Sequence, residues 1–489
     1  MNGIEKNGPT RLAYYGAVIA SVFLIGALLL PQGVGIKLPF EFPKLDLPRL
    51  CMLALLGTAI VYLILGPQRL TAFRVAPRTM TLLAFIAAWQ LISALMVGHG
   101  LWSYYWALGN IVAFWGFAVA FLLLAGHREY RSMITHIFIV IAVVIALWSV
   151  LEFITQAKLV TYRNLYADDP TARGFSYLMR RQIVGVGEFP YMSLGPYFIH
   201  HTLAAVLCAL GGFLIMGPNE RNIRWHFMGS LLLTFAIFST QSRSGIVAFA
   251  AMVMVGLYLL KTRRSRLAVV GGGVVGLVLF IPLFGGVSDF ATAFLHNVTT
   301  SNASATDIFT NLRDGFPNVH EEVGTADLHN VTSNASIMNI YTHLRDGFPN
   351  VHEEVGTAEG RFAGAMMLFS QVDQWWLFGT GPGSMFNQER ILPGIINYSE
   401  QGSFIWFTVE SGLPVGIALT IAMAASLRRG LCSMDWRNKS AALGLGGFWI
   451  FSLMHIGLQS WVIGMVLVGL IEAWSRQTNP QHAIQSSAG

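Results

Sequence analysis

The chain has 489 residues, of which 54% are hydrophobic and only 11% are charged, and its mean hydropathy is +0.56. A soluble domain carries about 25% charged residues, so this composition excludes an ordinary cytosolic enzyme and a disordered chain. Because the chain is that of a membrane protein, its net charge of +6 concerns the sidedness of its loops, and we predict no nucleic-acid partner.

Long apolar runs recur along the chain. A helix needs roughly 20 apolar residues to cross the ~30 Å hydrocarbon layer, and somewhat shorter runs can cross where the bilayer thins. The sequence therefore predicts an all-α polytopic membrane protein with about 12 transmembrane helices. The predicted spans are Leu12–Leu30, Leu50–Leu65, Met80–Val97, Tyr105–Ala125, Met133–Ile154, Tyr191–Met216, Trp225–Thr240, Ser244–Leu260, Leu267–Phe284, Ser403–Leu427, Ala441–Gly457 and Leu458–Trp474.

Lys and Arg are concentrated in every second connection between the predicted spans. By the positive-inside rule these connections are cytoplasmic, which places both termini in the cytoplasm. The other side receives two long segments, Thr155–Pro190 and about Gly285–Gly402. Outer loops of this length are where a polytopic enzyme could hold its substrate site.

Four regions follow from this topology. Residues 1–190 hold the first five spans and the first outer loop, and residues 191–284 hold the next four spans. Residues 285–402 form a large loop with short helices, and residues 403–489 hold the last three spans and a cytoplasmic tail. The large loop contains an internal duplication, 296–327 and 329–359. Two copies are too few for a solenoid, which favours a local insertion over a pair of saccharide-binding modules.

Arg243 is the only cation in the short outer connection between the seventh and eighth predicted spans, where the positive-inside rule predicts few cations. A guanidinium group binds a diphosphate with two parallel hydrogen bonds and stays charged at any working pH. The alternative is an arginine that reaches lipid headgroups. The neighbouring Ser242 and Ser244 favour a functional site.

Arg361 lies near the end of the large loop and precedes an apolar, aromatic stretch with Trp375 and Trp376, which suits a helix lying on the membrane. Gly381 and Gly383 follow in a Gly-x-Gly-x-Gly run. Glycine backbone can approach a phosphate or sugar closely, so both are candidate substrate-binding residues, with a simple turn as the alternative.

Two carboxylates lie where the large loop returns to the membrane. Glu410 is about two turns inside the tenth predicted span, where a buried carboxylate must be paired or protonated. We expect a structural role for it first and a catalytic acid second. Glu400, at the mouth of the span, is the better candidate for a general base.

His200 and His201 begin the sixth predicted span, and Arg180 and Arg181 precede it in the outer loop. These four residues are candidate substrate-binding residues. Adjacent helical side chains point about 100° apart, so the two histidines alone do not make a bidentate metal site. No HExxH or Walker motif accompanies these sites, and we predict neither a metal nor another cofactor.

In their order along the chain, these motifs resemble the O-antigen ligase and polymerase family of bacterial membrane glycosyltransferases. The resemblance is carried by Ser242-Arg243-Ser244-Gly245, by the long outer loop with Arg361 and Trp375–Phe386, and by Glu410-x-Gly412-Leu413-x-x-Gly416. It implies a fold like that of the C-type glycosyltransferases. It also implies glycan transfer on the periplasmic side of the bacterial inner membrane, from an undecaprenyl-diphosphate carrier to a glycan or lipid-linked acceptor.

The resemblance also implies residue roles: Arg243 and Arg361 would bind the donor diphosphate. The chain departs from the ligase pattern at Gln401, where ligases typically have a histidine. Glutamine cannot act as a general base, so Glu400 or the loop residue His352 would take that role, unless no base is needed. This departure favours a polymerase of O-antigen or exopolysaccharide repeat units over a ligase to lipid A core.

Other functions fit the same topology. A polysaccharide or lipid-carrier transporter can also have 12 spans, but we find no matching halves in the sequence. A non-catalytic scaffold would leave Arg243 and Arg361 unexplained, and protein O-glycosylation is a further activity within the family. The expected partners are the lipid-linked glycan donor, its acceptor and membrane lipid, with a chain-length regulator as a further candidate.

Overall fold

The structure is a computed structural model. It describes residues 11–30, 35–36, 45–65, 77–97, 100–112, 116–124, 131–157, 159, 180–183, 187–197, 200–218, 222–291, 372–384, 402–454 and 461–477. The described part is mostly helical. Its helices include α1 (Arg11–Leu29), α2 (Leu47–Leu65), α3 (Pro77–Val97), α4 (Gly100–Ile111), α5 (Phe117–Leu124), α6 (Arg131–Thr155), α7 (His200–Met216), α8 (Ile223–Ser239), α9 (Arg243–Leu259), α10 (Arg263–Leu283), α11 (Val372–Trp375), α12 (Ser403–Ser411), α13 (Leu413–Cys432), α14 (Trp436–Met454) and α15 (Trp461–Gln477).

Two short antiparallel hairpins accompany the helices. Strand β1 (Gly35–Ile36) pairs with β2 (Leu45–Asp46), and β3 (Arg180–Ile183) pairs with β4 (Gly187–Tyr191). The sequence did not predict these strands. These strands are too short to change the fold class. The prediction of an all-α polytopic membrane protein is confirmed.

Length and composition make several helices suitable for crossing a membrane. Within the described residues, α3, α6, α10 and α13 are long and apolar enough to do so. Shorter apolar helices include α7, α8 and α9, each with 17 residues. Many large apolar side chains of α3, α6, α9 and α10 face outward, as expected for surfaces covered by lipid. The count of about 12 spans stays a prediction.

Helix α7 lies at the centre of the bundle, and nearly all of its side chains are buried. It runs antiparallel to α14: a Cβ added at Gly212 would meet the backbone of Ser440, and one added at Gly444 would meet the carbonyl of Ala209. Small residues at these positions let the two backbones approach closely. This is the usual way in which helices associate in lipid, where burial of apolar surface gives little driving force.

Two ends of the bundle follow from these contacts. The first, here called the Arg243 end, holds the start of α7, the start of α9 and the end of α14, because Gly245 approaches Ala204 and Gly447 approaches Cys208. The second, here called the Arg429 end, holds the ends of α7 and α13. The basic residues at the starts of α3, α6, α8 and α10 lie at the Arg429 end. That this end faces the cytoplasm remains a prediction from its positive charge.

Charged side chains join the helices at the Arg429 end. Glu472 on α15 is fully buried and forms an ion pair with Arg429 on α13. It also accepts hydrogen bonds from Thr79 Oγ1 at 3.0 Å and Ser426 Oγ at 2.7 Å. These contacts connect α3, α13 and α15 through one carboxylate.

Arg131, at the start of α6, makes a second connection at this end. Its Nη2 atom lies 2.8 Å from Asp435 Oδ2, in the segment between α13 and α14. The same nitrogen donates to the carbonyl of Trp474 at 3.3 Å, and the guanidinium lies 5.3 Å from the centre of the Trp474 ring. Buried charges that are paired and hydrogen-bonded in this way offset part of their desolvation cost.

Three predicted spans differ from the helices. The span Ser403–Leu427 is broken at Gly412, whose φ of 90° and ψ of 160° are not helical. The span Tyr191–Met216 becomes helical only at His200, since Tyr191 belongs to β4 and Gly195 has a φ of 59°. The span Tyr105–Ala125 is divided between α4 and α5. A glycine with positive φ ends α12 at Gly412, and another lies in the turn before α7 at Gly195. Apolar composition alone does not reveal either position.

Candidate functional site

A tight turn between α8 and α9 carries Arg243. The side chains of Ser239, Thr240, Gln241 and Ser242 are all buried in this turn. Gln241 has a φ of 52°, a left-handed conformation that is uncommon for residues other than glycine. A strained backbone persists only where its surroundings hold it, and such positions cluster at functional sites.

Hydrogen bonds join the turn to residues 190–193. Gln241 Nε2 donates to the carbonyl of Pro190 at 2.7 Å, and the N–H of Ser193 donates to the carbonyl of Ser239 at 3.0 Å. Ser193 Oγ in turn donates to the carbonyl of Ser149 on α6 at 2.7 Å. The turn is thereby fixed to the segment that precedes α7.

Ser242 links the Arg243 turn to the histidines of α7. Its hydroxyl caps α9 by accepting the N–H of Gly245 at 3.2 Å, and it lies 3.1 Å from Nδ1 of His201. The rings of His200 and His201 have centroids 3.6 Å apart. Adjacent helical side chains usually diverge, but these two begin the helix and pack against each other. The structure thus brings together His200, His201 and Arg243.

The position of Arg243 determines its electrostatic surroundings. It is the first residue of α9 and is partly exposed. The first N–H groups of a helix and its dipole create a positive potential at this point, which favours anions. A guanidinium placed there adds to that potential. The turn therefore suits an anionic group such as a phosphate.

Glu152 is a buried residue of this region that the sequence reasoning did not single out. One of its carboxylate oxygens accepts the N–H groups of Leu194 at 3.0 Å and Gly195 at 2.8 Å, and the other accepts Trp148 Nε1 at 3.0 Å. These bonds fix the turn that leads into His200. A carboxylate in an apolar helix two residues from the predicted end of a span was the available signal.

A second part of the Arg243 end is formed by residues 376–384, which pack on the break between α12 and α13. The N–H of Gly381 donates to the carbonyl of Glu410 at 3.0 Å, and the N–H of Leu413 donates to the carbonyl of Trp376 at 2.8 Å. Gly379 lies so close to the backbone of Glu410 that a Cβ would collide with it. Close packing against Glu410 thus explains why the first residue of the Gly-x-Gly-x-Gly run, Gly379, is a glycine.

Helices α3 and α4 complete this second part. Trp89 Nε1 donates to the carbonyl of Leu377 at 3.1 Å, Ser93 Oγ donates to the carbonyl of Phe378, and Gln90 donates to Ser411 Oγ. Gly383 has a φ of 77° and lies against the ring of Trp106, where a Cβ would collide. Packing against Trp106 thus explains why residue 383 is a glycine. Substrate binding by Gly381 and Gly383 stays a prediction. Glu410 is buried, as predicted.

The structure describes the remaining predicted site residues only in part. For Arg180 and Arg181 the structure describes the backbone, in β3, and not the side chains. Four further residues lie outside the described residues: Arg361, His352, Glu400 and Gln401. The duplicated segment 296–327 and 329–359 also lies outside them. The roles of all these residues stay predictions.

Within the described part of the chain, no cluster of three or more His, Cys, Asp or Glu side chains could hold a metal ion. The pair His200 and His201 is accompanied by hydroxyl groups and by Arg243, a cation that disfavours a second cation nearby. The described site therefore has the chemistry of an anion site.

The helices and their lipid-facing apolar surfaces define the class of this molecule as a polytopic helical membrane protein. Residues 228–420, about two fifths of the chain, match the family model described as O-antigen ligase. This match confirms the resemblance to the O-antigen ligase and polymerase family that the motifs predict. It covers Arg243, Arg361 and Glu410. The family implies a membrane function related to glycosyl transfer and lipid-linked glycan substrates. No curated protein matches the chain.

Proposed function

We propose that this protein transfers a glycan from an undecaprenyl-diphosphate-linked oligosaccharide to an acceptor sugar. The observation that carries the proposal is the placement of Arg243. It begins α9, follows a buried polar turn, and lies within the segment that matches the O-antigen ligase family. A guanidinium at a helix N-terminus is well placed to bind a diphosphate with two hydrogen bonds.

The proposed reaction is a direct displacement. The acceptor hydroxyl oxygen attacks the anomeric carbon, the bond from that carbon to the diphosphate oxygen breaks, and its electron pair leaves with the lipid diphosphate. The anomeric configuration is inverted. Arg243, together with Arg361, offsets the charge that develops on the departing diphosphate, and no metal is needed for that role. The hydroxyl proton passes to a base, for which Glu400 and His352 are the candidates.

His200, His201 and Ser242 are assigned to substrate binding in this proposal. His201 lies 3.1 Å from Ser242 Oγ, and Ser242 immediately precedes Arg243. Imidazole and hydroxyl groups can donate and accept hydrogen bonds, which suits sugar hydroxyls beside the diphosphate. Arg180, Arg181, Gly381, Gly383 and Gln401 complete the proposed substrate-binding set.

Two kinds of acceptor fit the proposed reaction. Gln401, in place of the histidine typical of ligases, favours a polymerase of O-antigen or exopolysaccharide repeat units. The description of the matching family model as O-antigen ligase favours transfer to lipid A core. In both cases we place the reaction on the periplasmic side of the bacterial inner membrane, with both termini in the cytoplasm. A polymerase would have a chain-length regulator as a candidate partner.

The test uses the purified full chain in liposomes with a lipid-diphosphate-linked oligosaccharide. A polymerase lengthens the lipid-linked glycan without another acceptor, whereas a ligase requires added lipid A core and labels it. Either product supports glycosyl transfer. Movement of the donor across the bilayer without any glycan transfer would instead identify a transporter and overturn the proposal.

A further inference from the structure

A second arginine site lies at the Arg429 end, far from the Arg243 turn. Helices α8 and α10 run parallel and very close together, because a Cβ at Gly272 would meet the carbonyl of Phe227 and one at Gly276 would meet that of Leu231. Ser230 Oγ also donates to the carbonyl of Val269 at 2.7 Å. The two helix starts are therefore neighbours.

An open groove of about 630 Å³ lies between these two helix starts. It is lined by Ile223, Arg224, Phe227, Met228, Arg264, Leu267 and Ala268. The lining carries two positive charges and no carboxylate. Both arginines are exposed, one on each helix, and the wall between them is apolar.

The apolar wall continues along the outside of α10. Leu267, Val270, Val274 and Val278 are each about half exposed, and their spacing of three to four residues places them on one face of the helix. In a membrane-spanning helix such a face is covered by acyl chains. The groove is thus open to lipid on its long side and bounded by guanidinium groups at the membrane boundary.

We propose that this groove binds an anionic phospholipid, with its phosphate between Arg224 and Arg264 and an acyl chain along Met228, Leu267 and Val270. Guanidinium groups bind phosphodiesters bidentately, and basic pockets between transmembrane helices are known to hold anionic lipid headgroups. The occupant is a lipid and not a soluble phosphate, since a phosphate alone would leave the apolar wall uncovered. The site is separate from the proposed transfer site.

The probe is phosphatidylglycerol, added to the delipidated full chain in detergent and measured by native mass spectrometry, with phosphatidylcholine as the neutral control. One surface arginine contributes about a fivefold change in affinity for an anionic lipid, so the double variant R224Q/R264Q should bind phosphatidylglycerol roughly thirtyfold more weakly. Raising the salt concentration should weaken binding to the unmodified protein and have little effect on the double variant.

Two further variants make the test specific. Arg263→Gln removes an exposed arginine next to Arg264 that does not line the groove, and it should leave binding nearly unchanged. Met228→Trp keeps both arginines but fills the groove, and it should weaken binding several-fold. Met228 is largely exposed, so the larger side chain need not disturb the core.

Three outcomes would overturn the proposal. If R263Q lost as much binding as the single variants R224Q and R264Q, the result would indicate a diffuse basic surface. Unchanged binding in M228W would show that no acyl chain occupies the groove. Displacement of the lipid by inorganic phosphate at a similar concentration would indicate a soluble-anion site. The test does not depend on glycan transfer, so its failure would leave the proposed function untouched.

Discussion

Each end of the bundle holds a buried carboxylate with hydrogen-bond partners, Glu472 at one end and Glu152 at the other, but the two carboxylates have different partners. At the Arg429 end, Glu472 is paired with the guanidinium of Arg429 and with hydroxyl groups from α3 and α13. At the Arg243 end, Glu152 is bound by the backbone N–H groups of Leu194 and Gly195. One carboxylate ties helices together, and the other shapes a turn beside a candidate anion site.

The largest expected effect on stability concerns the Arg429 end. Arg429→Ala leaves Glu472 buried without its guanidinium, which should lower the free energy of unfolding by about 3–5 kcal/mol. Thermal unfolding of the purified protein in detergent measures this loss. Arg428→Ala, which removes the exposed neighbouring arginine, is the matched control and should have little effect.

If the two ends have separate roles, folded R429A should keep its glycan-transfer activity. Glycan transfer per folded molecule, measured below the unfolding transition, should match that of the unmodified protein. A strong loss of transfer in the folded fraction would mean that the Arg429 end also takes part in the reaction, and the division of roles between the two ends would be wrong.

The next effect concerns the Arg243 end. Glu152→Ala leaves two buried backbone N–H groups without an acceptor, which should destabilise the protein by about 2–3 kcal/mol. Transfer should also fall about tenfold, since the turn from Ser193 to Tyr197 leads directly into His200. Glu152→Gln keeps an acceptor oxygen, so its stability and its transfer rate should lie between those of E152A and the unmodified protein. An E152A protein that is destabilised but transfers glycan at the full rate would show that this turn does not position the site.

Much of the fold could be predicted from hydrophobic patterning, because membrane helices are specified by long apolar runs. Helix ends were harder to predict. The break at Gly412 and the start of α7 at His200 depend on glycines with positive φ and on hydrogen bonds to residues far away in sequence. Apolar composition carries no information about such contacts.

Only some residues of the candidate site could be predicted from the sequence. Arg243 could be singled out because a cation in a short connection that is predicted to face outward contradicts the usual charge distribution. Glu152 carried a signal, as a carboxylate in an apolar helix, but its backbone partners could not be predicted. They lie about 42 positions away in sequence, and only the packing of α6 against the segment before α7 brings them to Glu152. The glycine run from Gly379 to Gly383 predicts a close approach to a phosphate or sugar, which stays a prediction. At Gly379 and Gly383 the structure shows a close approach to protein, to the backbone of Glu410 and the ring of Trp106.

The smallest expected effect compares two helix caps. Ser242 caps α9 at the Arg243 end, and Thr262 caps α10 at the Arg429 end by accepting the N–H of Ser265 at 3.1 Å. Replacing either by alanine should cost about 1 kcal/mol of unfolding free energy. Only Ser242→Ala should also reduce transfer, because Ser242 contacts His201. Equal effects of S242A and T262A on transfer would remove this distinction between the ends.

The central claim is that Arg243 binds the donor diphosphate, and the most direct measurement is the initial rate of lipid-diphosphate release from a lipid-linked oligosaccharide. Arg243→Ala should lower this rate by about 100-fold or more, as is typical when a group that stabilises developing charge is removed. Arg243→Lys should retain part of it. Arg263→Ala, at the start of α10 on the opposite end, should stay near the unmodified rate. Full activity of R243A would contradict the account.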